Sequence, residues 1–267
     1  MKNKRLIILL SIFAFLILIV VLCSTLFTVR ENSVSIEWHS SALTHLKDKE
    51  DEIISAVPTK ENVMLIDKGE ITSTLEESFS YINVLKIEKK FPNKIVVHAI
   101  ERQDQYAVLV GDEYFALDDQ GKVLNKYTKT EYDALSVNKK PILFEVVGMT
   151  LDAGTMQIGK IAQIPRVLTT IQNLSNALKR SGFTETWQVV NNFKSASLEF
   201  GYVSNLTLVN SRDISIVVDE INVDLAEKIA YGIAVTRSDE LKDKTNITLK
   251  VGYNSDGKLV ADYENTP

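Results

Sequence analysis

Thiol chemistry has almost no place in this sequence. One of its 267 residues is cysteine, Cys23, and it lies inside an apolar run. The remainder holds no disulfide and no cysteine metal site, so packed cores must stabilise it. Histidine is scarce as well: His39, His45 and His98. No His-Glu-x-x-His signature is present, and no carboxylate–histidine cluster stands at metal-ligand spacing along the chain. The three histidines read as ordinary surface or strand residues. A Gly-x-Ser-x-Gly elbow is missing. Gly121-Lys122, Gly159-Lys160 and Gly257-Lys258 are each followed by an apolar residue, which excludes a Walker loop. Asp118-Asp119-Gln120-Gly121 lacks the alternating acidic ligands and closing Glu of a calcium loop, and reads as a turn. Nothing brings Asp152 and Asp219 together as a catalytic pair. No catalytic, cofactor-binding or metal residue is assigned from the sequence.

An excess of positive charge is also lacking. Lys and Arg number 30 against 35 Asp and Glu, for a net charge of −5. Three of the positive residues, Lys2, Lys4 and Arg5, precede residue 6, so the rest of the chain carries −8. An acidic surface argues against nucleic acid or anionic lipid as the main partner.

What the chain does have is one long uncharged run, 6–28, of 23 residues. At ~1.5 Å per residue a helix of this length reaches ~34 Å, and the expectation is a single transmembrane helix. Lys2, Lys4 and Arg5 before it predict a cytoplasmic tail over 1–5 and an exported remainder. A cleaved signal peptide has a shorter apolar region ending in a small-x-small site, and here Leu26 and Phe27 follow the small residues.

Residues 29–102 read as a small module. A strand is expected to end near Trp38. Ser40 or Ser41 then starts a helical pattern through Leu43, Leu46, Ile53, Ile54 and Val57, which Pro58 stops. Asp67 with Glu70 marks a second helix start, and Ile71, Leu75, Phe79 and Ile82 share a face. Val84 to Lys89, the turn Phe91-Pro92-Asn93 and Ile95 to Glu101 form a strand pair.

Residues 103–263 read as a larger mixed sheet with helices, leaving 264–267 as a tail. Strands are expected at Tyr106–Val110, Tyr114–Leu117, Lys122–Leu124, Pro141–Val147, Trp187–Asn191, Ser197–Phe200, Leu206–Asn210 and Ile214–Val218. A helix begins at Pro165. Asn222 is expected to cap a last helix through Leu225, Ile229 and Ile233. A closing hairpin pairs Asn246–Tyr253 with Leu259–Tyr263 through Asn254-Ser255-Asp256-Gly257. The fold class predicted is α+β.

The run Phe91-Pro92-Asn93-Lys94-Ile95-Val96-Val97-His98-Ala99-Ile100-Glu101-Arg102 resembles the strand-turn-strand that closes the POTRA domain of the bacterial cell division protein family FtsQ/DivIB. Asp67 and its helix resemble the preceding helix. Tyr114-Phe115-Ala116-Leu117-Asp118-Asp119-Gln120-Gly121-Lys122-Val123-Leu124 resembles the hairpin that opens the family's β domain. The chain departs from the family at Ile36-Glu37-Trp38, often Val-x-Gly, and at Gln103-Asp104-Gln105, where Pro is common.

The resemblance implies an anchor, a POTRA domain with two helices on a small sheet, and a β domain. It implies a non-enzymatic divisome protein in the cell membrane at the division septum. Its implied partners are bitopic division proteins of the FtsB/DivIC and FtsL type, through which it helps couple to septal peptidoglycan synthesis. Two other readings compete: a POTRA-bearing docking or chaperone module for exported chains, and a membrane-anchored extracytoplasmic enzyme.

The implied partner strand adds near the end of the β domain. The residues expected there are Asn246, Thr248, Lys250, Tyr253, Leu259, Val260, Ala261, Asp262 and Tyr263. The two tyrosines are expected as anchors, and a proline at Val260 or Asp262 is expected to remove an edge amide.

Overall fold

The computed structural model describes residues 2–40 and 43–265 and, within the first helix, the side chains of 10–22 and 24–26. The chain is α+β and divides into two compact units, 1–102 and 103–267.

The first helix, α1, runs Lys2–Leu26. The expectation of a transmembrane helix over 6–28 is corrected here: among the described residues no helix is long and apolar enough to cross a membrane.

In the first unit, β1 (Val34–Trp38), α2 (Glu50–Ser55), α3 (Lys68–Ser78), β2 (Ile82–Lys90) and β3 (Lys94–Glu101) follow in order. The sheet order is β1-β3-β2, with β3 parallel to β1 and antiparallel to β2. One sheet face packs on the helices. Ile36, Val97 and Ile87 meet Ile53, Ile71 and Leu75 in one core. Asp67 caps α3 as its sequence predicts, its carboxylate accepting from the Gly69 N–H at 2.7 Å.

The helical pattern from Ser40 is realised only over its last turns, in α2; Ser41 lies outside the described residues. The reason is Glu101, which is only 5% exposed. Its carboxylate accepts from three successive backbone N–H groups: Thr44 at 2.6 Å, His45, and Leu46 at 2.9 Å. The Glu101 N–H in turn donates to Ser40 Oγ at 2.7 Å. Charge-assisted bonds hold these amides in a loop and satisfy donors that a helix would otherwise need to pair.

The second unit begins with β4 (Tyr106–Val110), β5 (Glu113–Leu117), β6 (Val123–Thr128) and α4 (Lys129–Ala134). It continues through β7 (Ile142–Val147), α5 (Pro165–Arg180), α6 (Thr186–Asn192), β8 (Phe193–Glu199), β9 (Asn205–Asn210) and β10 (Ile214–Asp219). It closes with α7 (Leu225–Thr236), β11 (Ile247–Tyr253) and β12 (Leu259–Asn265). Nine strands form one mixed sheet in the order β12-β11-β10-β9-β8-β7-β4-β5-β6. The apolar stripes of α5 (Val167, Ile171, Leu174) and α7 (Leu225, Ile229, Ile233) share its core with Val108, Phe144, Leu208 and Leu249.

Three expectations change in this unit. Trp187–Asn191 is helical, not a strand, because Glu185 and Gln188 form a capping box. The turn buries Val189 and Val190 side by side and leaves Trp187 56% exposed, which strand alternation cannot do. Asn222 does not cap α7; Asp224, at φ 47°, precedes it with no side-chain cap bond. The tail expected over 264–267 is shorter, since β12 extends through Asn265.

Replacing Glu101 by Ala strands three amides, one of them that of the buried Leu46. The expected loss is about 2–3 kcal/mol in the first unit. Urea unfolding read by Trp38 fluorescence in a Trp187→Phe background checks this.

Candidate functional site

A β-strand at the end of a sheet keeps one row of backbone donors and acceptors turned outward. β12 is such a strand, since among the described residues only β11 pairs with it. The hairpin arises from the alternation in Asn246–Tyr253. Ile247, Leu249 and Val251 are buried, and Lys250 is exposed. Opposite them, Leu259 and Ala261 pack half-buried at the border of the core. Gly232 of α7 lets the helix lie close to this platform, since a Cβ there would stand 2.6 Å from Ile216 Cγ2 and 3.1 Å from Val251 Cγ2.

The turn sets which amides face outward. The Asn254 N–H donates to the Lys258 carbonyl, and the Gly257 N–H, at φ 71°, donates to the Asn254 carbonyl, both at 2.9 Å. Hydrogen-bonded pairs alternate along an antiparallel ladder. From Asn254–Lys258 the next bonded pairs are Gly252–Val260, Lys250–Asp262 and Thr248–Glu264, in the register Gly252↔Val260 and Lys250↔Asp262. Val260 and Asp262 therefore spend their amides on β11. The outward amides are those of Leu259, Ala261, Tyr263 and Asn265. The expectation that a proline at Val260 or Asp262 removes an edge amide is corrected accordingly. Hydrophobic alternation shows which side chains share a face, and hydrogen-bond parity is set by the turn.

The nine expected residues fall on two neighbouring strands with unequal roles. Leu259, Val260, Ala261, Asp262 and Tyr263 form the edge strand itself. Thr248 and Lys250 lie one strand inward, between β10 and β12, so they offer side chains only, while Tyr253 pairs with Leu259 beyond the end of the β10 register. Asn246 precedes β11 in the left-handed region, at φ 54°. Glu264 and Asn265 lengthen the edge beyond the sequence reading.

Both tyrosines are tethered. Tyr253 donates its hydroxyl to Asp224 at 3.1 Å, and Tyr263 donates to Glu240 at 2.6 Å while accepting from Lys244 Nζ at 2.9 Å. Burial, followed by the Asp224 carboxylate, pushes the Tyr253 phenol above its ordinary value. Each tyrosine is 40% exposed, so a fixed aromatic surface borders the edge on both strands. On the other face Lys250 bridges Glu264 at 3.0 Å, an exposed pair of little energetic weight.

The opposite end of the sheet is treated differently. At the start of β6 the Val123 N–H donates to Lys160 O at 2.9 Å and the Gly159 N–H to Val123 O at 2.8 Å, so residues 159–162 cover the first residue of that edge strand. The sequence reads the three histidines as ordinary surface or strand residues. Instead His39 and His98 meet, with Glu37 beside them, while His45 stacks on Tyr81 with ring centroids 3.9 Å apart.

No protein-family model matches the chain, and a comparison with curated protein sequences finds no match.

Val260→Pro and Asp262→Pro should each lower the stability of the second unit by about 1–3 kcal/mol, because each breaks a bond to β11. Ala261→Pro, which removes an outward amide, should cost clearly less. Thermal unfolding read by Trp187 fluorescence in a Trp38→Phe background ranks the three.

Proposed function

We propose that the chain is a non-enzymatic assembly protein of the bacterial divisome, similar to FtsQ/DivIB, and that it binds an extended segment of another division protein at β12. The observation that carries this reading is the open edge of β12 at the end of a nine-stranded sheet. An incoming strand would pair with the outward backbone of Leu259, Ala261, Tyr263 and Asn265, so the backbone supplies affinity and neighbouring side chains supply selection. Tyr253 and Tyr263, already held by their own hydrogen bonds, lose little freedom on contact. The edge resists self-pairing through Asp262 and Glu264, both exposed.

The family resemblance supplies the identity of the partners: bitopic division proteins of the FtsB/DivIC type, with FtsL, acting on septal peptidoglycan synthesis. The β-α-α-β-β order of the first unit, two helices on a three-stranded sheet, supports the resemblance to a POTRA domain.

Two measurements test the proposal. A fluorescent fusion should form a ring at midcell, and a uniform signal along the cell would count against the divisome reading. Ala261→Pro should weaken binding of the partner's extracytoplasmic segment by about tenfold, equivalent to ~1.4 kcal/mol, while Lys258→Ala in the turn should leave it unchanged. Parent-like binding by a folded Ala261→Pro variant would move the site away from β12.

A further inference from the structure

The outer face of the first unit's sheet gathers groups that lie far apart in the sequence. Glu37 and His98 are direct partners in the β1–β3 register. His39 lies two residues beyond Glu37 on the same side, its N–H held by the Ala99 carbonyl at 2.8 Å. From the neighbouring strand β2, Glu88 reaches the same histidine. The central position of β3 thus places His98 between carboxylates from both flanking strands.

The distances define the arrangement. His98 Nε2 is 3.1 Å from Glu88 Oε2. On the other side of the ring, His98 Nδ1 is 3.1 Å from His39 Nε2 and 3.3 Å from Glu37 Oε2. A neutral imidazole has one N–H, and an ionised carboxylate only accepts. If Glu88 takes the Nε2–H of His98, Nδ1 presents a lone pair to Glu37 and His39. The single N–H of His39 can satisfy only one of the two contacts at that corner. At least one pair of acceptors is then left facing each other.

We infer that Glu37, His39 and His98 form a binding site for a divalent transition metal of the zinc class, with Glu88 as the carboxylate that orients His98. A cation satisfies all three lone pairs at once. Ligand atoms at zinc bond lengths of ~2.0–2.1 Å and tetrahedral angles stand about 3.3–3.4 Å apart. The two distances to His98 Nδ1 fall within a few tenths of an ångström of that value, and all three ligand atoms lie within 4.8 Å of one another. Glu88 on Nε2 fixes the tautomer that leaves Nδ1 free to ligate, the usual partnership of carboxylate, histidine and zinc. Two imidazoles and one carboxylate favour zinc over calcium or magnesium, which prefer oxygen ligands. Three protein ligands leave the fourth position to water or to a group from another molecule. Glu37 and His39 are exposed, so that position is open to solvent.

The test uses the untagged full chain, stripped of metal and titrated calorimetrically with Zn²⁺ alone, with Co²⁺ absorption as an independent readout. The parent should take up one equivalent. His39→Ala, at an exposed position and so expected to keep the fold, should weaken uptake at least about a hundredfold, and His98→Gln likewise. Glu88→Gln should weaken it by about tenfold, and His45→Gln should leave it unchanged. Circular dichroism confirms folding of each variant. A parent that takes up no Zn²⁺ would overturn the site, its imidazoles then serving only the carboxylates. Parent-like uptake by folded His39→Ala would also overturn it.

Discussion

Every backbone N–H and C=O in a sheet needs a partner, and only strands at the two ends can leave a row of them to water or to another chain. That constraint organises the second unit. Its nine strands require two ends, and the two are finished differently. Residues 159–162 bridge onto the start of β6. β12 keeps its outer row open, with Asp262 and Glu264 exposed along it. An edge protected by charge, and not by cover, discourages aggregation while leaving its backbone row accessible.

The platform beneath that edge is held by packing and hydrogen bonds from α7. Gly232 permits close packing of the helix on Ile216 and Val251. One turn earlier, Lys228 is 2% exposed and donates to the carbonyls of Asp219 at 2.9 Å and Glu220 at 3.3 Å. A buried ammonium needs such acceptors, and in meeting that need it fixes the chain where β10 turns toward the helix. Tyr253 is drawn into the same corner through Asp224.

In the first unit, the central strand β3 has a different task on each face. Val97 and Ala99 enter the core. His98, between them, faces the opposite side and meets groups from both neighbouring strands. At the strand's end Glu101 organises the loop over 44–46, and Arg102 continues outward to bond Ile82 O at 3.1 Å and Asn83 Oδ1 at 3.0 Å. The Glu-Arg pair that carries the family resemblance is thus explained by local structure: one residue gathers loop amides, and the other ties β3 to the start of β2.

Local pattern alone determined much of this protein. Period-two alternation located β11 and the start of β12, Asp67 marked the start of α3, and the Asn-Ser-Asp-Gly turn between β11 and β12 was readable because turn residues act within a few positions. Short-range competition misled the reading where two local solutions were close, as at Trp187–Asn191, where a capping box overrode a β-rich composition. Only the tertiary structure decided what depends on distant partners. Glu101 took amides more than fifty positions away and kept a helical pattern from forming. The register of β1 on β3 brought Glu37 and His39 to His98, a cluster invisible at a separation of 59 residues. Strand order made β12 an end of the sheet, and its turn decided which amides face out. Sequence periodicity reports which face a side chain occupies, whereas pairing across the sheet decides which groups meet.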